Sequence, residues 1–114
     1  MYANYFKDQI CEELDGACDY LKKAVDFMST RPDFAQHFIE MSDMEEGHAT
    51  ILYRMFMELY MEDGGKDRYM TQARDRIMDC FSSKMRKLED LRAAYGIIKH
   101  EEAANTTQPT LIMR

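Results

Sequence analysis

Three times in this chain, over 22 to 29 residues, a mostly apolar stripe returns every three or four positions. The first stripe runs Phe6, Ile10, Glu13, Ala17, Tyr20, Ala24, Phe27. The second runs Phe34, Phe38, Met41, Glu45, His48, Leu52, Met55, Leu59. The third runs Met70, Ala73, Ile77, Phe81, Lys84, Leu88, Leu91, Tyr95, Ile98. A spacing near 3.5 residues puts one face of a helix against a neighbouring helix. The expected fold is therefore all-α, a long antiparallel helical hairpin followed by a third long helix.

Two interruptions set the helix ends. At Ser29-Thr30-Arg31-Pro32, proline suits a first helical turn, and Thr30 is placed to cap it with Asp33 close behind. At Asp63-Gly64-Gly65, glycine can take the left-handed conformation that ends a helix, and Asp67 can cap the next one. Helices are expected at about 3–28, 33–62 and 67–102. The first two would be about 40–45 Å long at 1.5 Å per residue, and long helices joined by short turns make bundles. The helical domain is read as 1–103. Residues 104–114, with the polar Asn105-Thr106-Thr107-Gln108-Pro109 and then Thr110-Leu111-Ile112-Met113-Arg114, are read as a flexible tail.

Composition narrows the function classes. A net charge of −6 argues against nucleic-acid binding, which needs a basic face, and is compatible with attracting cations. No run of about 18 apolar residues predicts a membrane span, and the N-terminus lacks the pattern of a signal peptide. Cys11, Cys18 and Cys80 are odd in number and lack CxxC spacing. They read as reduced thiols of a cytoplasmic protein rather than a disulfide frame. The eleven methionines read as adaptable core filler rather than a copper array.

The informative residues are those that break the stripes. Glu13 stands in the first, and Glu45 with His48 in the second, where an apolar residue is expected. A carboxylate buried among apolar neighbours costs several kcal/mol unless it is paired or bound to a metal. Glu13 and Glu45 lie at similar distances from the turn between the two helices, so the hairpin brings them to one depth. Glu45 and His48 are three apart, which points both to one face. Hard oxygen with imidazole nitrogen suits iron or manganese, with zinc as a competitor. The alternative is a Glu–His pair that only fixes helix register, with Glu13 at the rim.

The stretch Glu13-Leu14-Asp15-Gly16-Ala17-Cys18-Asp19-Tyr20 resembles the ExxxAxxY run in the first helix of rubrerythrin-type ferritin-like proteins. Asp43-Met44-Glu45-Glu46-Gly47-His48-Ala49 resembles the (D/E)xExxHA run of their second helix. The resemblance covers about residues 6–60. It implies that Glu13 is a terminal or bridging ligand, Glu45 a bridging ligand and His48 a terminal one. It further implies that Tyr20 is a hydrogen-bond partner behind the ligands and Glu46 an additional ligand or the first to meet an incoming ion.

A complete ferritin-like site takes one Glu from each of two helices and a Glu-x-x-His pair from each of two others. This chain carries half of that set, and its third helix has no ExxH. Two copies about a twofold axis would complete a four-helix bundle and the site together. The layout is similar to that of the encapsulated ferritins, which share the Glu12-Glu13-Leu14 run and the run from Asp43 to His48. By that similarity the chain is expected to be a homodimer or larger homo-oligomer. Two iron ions per dimer, or manganese or zinc in their place, would be bound, with ferroxidase-type oxidation of Fe(II). The tail at Thr110–Arg114 would be a docking peptide for a shell or compartment. The third helix is expected to make a further helix–helix contact, within the dimer or between dimers. The competing reading is a structural bundle, or an adaptor that binds another helix, with a degenerate metal site.

Overall fold

The computed structural model describes residues 2–98. It is all-helical over that range, with α1 at Tyr2–Phe27, α2 at Pro32–Asp63 and α3 at Arg68–Tyr95. The α1–α2 hairpin is antiparallel, and α3 folds back mainly against α1, touching α2 much less. The third helix thus finds its partner within its own chain. The predicted domain limit at 103 and the tail from 104 lie outside the described residues.

Local chemistry sets the turns. Pro32 opens α2, which makes Arg31 rather than Thr30 the capping residue, and Arg31 makes no side-chain cap. A guanidinium only donates, so it cannot accept the free N–H groups of a first turn. Instead it grips Asp33 with two bonds of 3.0 and 2.7 Å and lies 3.7 Å from the centre of the Phe34 ring. That pairing holds the Asp33 carboxyl at about 2. Gly64 closes α2 in the left-handed conformation at φ 70°, donating its N–H to Tyr60 and Met61 oxygens. Asp67 caps α3 as predicted, accepting from the Tyr69 N–H at 2.8 Å.

The third helix is shorter than its stripe suggests. It ends at Tyr95, not 102, because Gly96 turns left-handed at φ 64° and Ile97 donates its N–H to the Arg92 oxygen at 2.8 Å. That closure tucks Ile97 into the core. Up to Leu91 the predicted stripe of α3 is the one that packs. Met70, Ala73, Ile77 and Leu88 are buried, Phe81 and Leu91 are partly so, and Lys84 reaches Asp15 on α1 at 2.6 Å.

Two apolar clusters hold the helices together. One joins Phe6, Ile10 and Leu14 of α1 to Phe56 of α2 and Ile77 of α3. The other joins Ala17, Leu21 and Ala24 to Ile39 and Leu88. Each fully buried large side chain contributes roughly 1.5–3 kcal/mol of transfer free energy.

In α2 the stripe expected inside is not the buried one. The buried residues are Ala35, Ile39, Ser42, Asp43, Glu46, Ala49 and Phe56. Met41, Met44, Ile51 and Met55, on or beside the predicted seam, are exposed. The reason is where α3 lies. It covers one flank of the hairpin, and α2 turns the face centred on Glu46 inward. No helix among the described residues is long and apolar enough to cross a membrane.

Candidate metal centre

The open flank of the hairpin carries Glu13, Glu45 and His48. Glu13 comes from the middle of α1, and the other two come from successive turns of α2. The His48 Nδ1 lies 3.2 Å from Glu13 Oε2 and 3.5 Å from Glu45 Oε1. One ligand atom from each of the three lies within 4.8 Å of the other two, and no other trio of acidic, histidine or cysteine groups does this among the described residues.

Exposure corrects the premise that drew attention to these residues. They are not sealed in the core of one chain. The side chains of Glu13, Glu45 and His48 are 20%, 26% and 54% exposed. They form the polar floor of an apolar surface. Glu13 and His48 wall a shallow groove completed by Gln9, Ile51 and Leu52. Met41, Met44 and Met55 lie on the same side of α2, one or two turns away, all exposed.

Electrostatics mark the site as strained in charge. Partial burial and the neighbouring Glu13 carboxylate push the Glu45 carboxyl above its ordinary range, against the opposing pull of His48. Two carboxylates this close repel unless a proton or a cation sits between them. The donor set, two carboxylate groups and an imidazole Nδ1, has the chemistry to hold a divalent first-row metal ion. Thiols do not join it. Burial raises Cys18 and, with Cys11 beside it, takes Cys80 to about 12, so both stay protonated at neutral pH.

The two remaining predicted residues fall elsewhere. Tyr20 joins an aromatic row, its ring stacked on Phe38 at 6.2 Å, with Phe27 and Phe34 beyond. Glu46 is turned to the opposite face of α2 and is only 2% exposed. There the Arg92 guanidinium of α3 donates to it at 2.6 Å and to Asp43 at 3.2 Å. Nearby, the Ser42 hydroxyl donates to the Ala17 oxygen at 2.7 Å. Glu46 is therefore a buried carboxylate paired with Arg92, on a different face of α2 from Glu45.

Sequence reasoning missed Arg92, Asp43 and Ser42 as a group. The available signal was the set of polar residues Ser42, Asp43 and Glu46 between Ile39 and Ala49, recurring at helical spacing. No family model matches this chain, and no curated protein or solved structure matches it either.

Proposed function

We propose that the chain binds and oxidises Fe(II) at a ferritin-like di-iron site shared between two copies of itself. The observation that carries this reading is the convergence of Glu13, Glu45 and His48 from two helices on an open face, with the exposed Met41, Met44, Ile51 and Met55 of α2 beside them. A single chain offers three ligands and half the face. A second copy about a twofold axis would cover Met44, Ile51 and Met55 and bring a second Glu, Glu and His to the first set. Four carboxylates would then offset two divalent ions.

Fe(II) is the substrate, and dioxygen or peroxide is the electron acceptor. Hard carboxylate oxygens favour the higher charge of the oxidised ion, which is the chemistry the site would lend to the reaction. The residues of this chain have distinct parts. Glu45 would serve as the ligand shared by two ions; its Oε1 lies 3.5 Å from His48 Nδ1. A bound cation would relieve the repulsion between the Glu45 and Glu13 carboxylates. Glu13 and His48 would hold the ends of the pair, and a second copy covering the exposed Met44, Ile51 and Met55 would exclude water.

Anaerobic titration with Fe(II), read together with mass by light scattering, tests this directly. The expected result is one ion bound per chain and a dimeric mass, followed by oxygen uptake faster than in buffer. Glu45→Ala and His48→Ala should each abolish that uptake. A strict monomer that binds no iron would remove the reading and leave a structural or helix-binding bundle.

A further inference from the structure

A glycine in the middle of a long helix is a cost without an evident return. It loses more backbone freedom on folding than alanine does. Gly16 sits in the middle of α1, one turn after Glu13, and is not among the glycines with positive φ, which are Gly64, Gly65 and Gly96. Backbone conformation therefore does not require it.

Space does. A Cβ built on Gly16 would stand 2.9 Å from Glu45 Oε2, 3.7 Å from its Cδ and 3.8 Å from its Cγ. The three nearest atoms all belong to one side chain. The carboxylate of Glu45 occupies the volume that any other residue at position 16 would fill.

We infer that Gly16 is a positioning residue for the metal centre, a notch in α1 that lets the Glu45 carboxylate lie against the helix and face Glu13 and His48. This rests on the metal-binding reading above. The clash would be with the far end of a flexible side chain, so a methyl group there would turn Glu45 aside without moving either helix. Gly16→Ala should therefore act with opposite signs on two properties. It should leave the metal-free protein as stable or more so, because alanine is the better helix former. It should weaken metal binding, because the bridging carboxylate is displaced.

Co(II) is a suitable probe, since its visible absorption reports ligand geometry as well as occupancy. Wild-type protein and Gly16→Ala are compared by Co(II) titration and by thermal unfolding without metal. The expected result for the variant is a melting temperature unchanged or a few degrees higher, Co(II) affinity lower by about tenfold or more, and an altered absorption band. Wild-type affinity and spectrum in the variant would overturn the inference. So would loss of binding accompanied by a lower melting temperature, which would show a packing role only. Wild-type protein that takes up no Co(II) would instead overturn the metal reading on which the inference stands. Glu45→Asp, shorter by one methylene, gives a second measurement. It should cost less Co(II) affinity with alanine at 16 than with glycine, and equal costs in the two backgrounds would show that the residues do not act together.

Discussion

Glu45 and Glu46 are neighbours in sequence, yet they lead opposite lives. Glu46 faces α3, is almost fully buried, and shares the Arg92 guanidinium with Asp43. Glu45 faces away from α3, keeps a quarter of its surface, and meets a second carboxylate and a histidine. One step along a helix is about 100°, enough to carry a side chain from one flank of the hairpin to the other. The first cluster is compensated by a fixed cation of the same chain. The second holds like charges together on an open face. Burial alone does not mark a functional carboxylate. Lack of a permanent counter-charge is the better sign.

The largest effect expected from breaking this contrast lies on the closed side. Arg92→Ala takes the guanidinium from two buried carboxylates and should destabilise the chain by about 3–5 kcal/mol, the usual consequence of breaking a buried pair. Denaturant unfolding would show it, and full stability would mean that α3 is held by its apolar contacts alone. On the open side, Ile51→Asp places a charge beside the ligands at an exposed position. It should leave the stability of the single chain within about 0.5 kcal/mol. It should also weaken self-association at least about tenfold, or about 1.4 kcal/mol, as measured by sedimentation. Unchanged association would place the contact between copies elsewhere.

A smaller effect concerns Glu45 itself. Its carboxyl is raised in the folded chain, so folding favours the protonated form. Its contribution to stability is thus fullest below the unfolded value and is lost as pH rises through the raised folded value. Glu45→Gln should accordingly melt at a higher temperature than the parent near pH 7 without metal, with the gap closing on acidification. A parent that gains no ground on the variant at low pH would argue against repulsion at the site. Asp33 provides the opposite sign and the smallest change. Arg31 holds it at about 2, so its contribution is present above the ordinary carboxylate value and fades only as pH falls through about 2. The residue is fully exposed, and Asp33→Asn should shift the melting point near pH 7 only slightly downward and not at all at the acid limit.

Much of this could be read before the fold was seen. The repeat of apolar residues located three helices, Gly64 and Asp67 marked the second turn, and the residues that broke the stripes were the three that the fold brings together. The errors came from one source. Periodicity finds a stripe on a helix but does not say what covers it. Helix α2 carries two, one through Phe34, Met41 and Met55 and one through Ala35, Ile39, Ala49 and Phe56; the second is buried in the chain, while the first is exposed or, at Phe38, Leu52 and Leu59, only partly covered. Glu46 lies on the second stripe, so it faces α3 and not the group formed by Glu13, Glu45 and His48. The third helix is shorter than its stripe for another reason: Gly96 ends it although the apolar spacing continues to Ile98.

By itself the sequence determined three helices, the turn at Gly64 and Asp67 and the chemical identity of a Glu, Glu and His set, because these follow from local spacing and backbone preference. Tertiary structure alone decided which carboxylate is buried against arginine and which is left open. It also decided that Gly16, unremarkable in sequence, makes room for Glu45. Both outcomes depend on where α3 docks and how closely α1 and α2 approach, and those distances are set by packing between residues far apart in the chain.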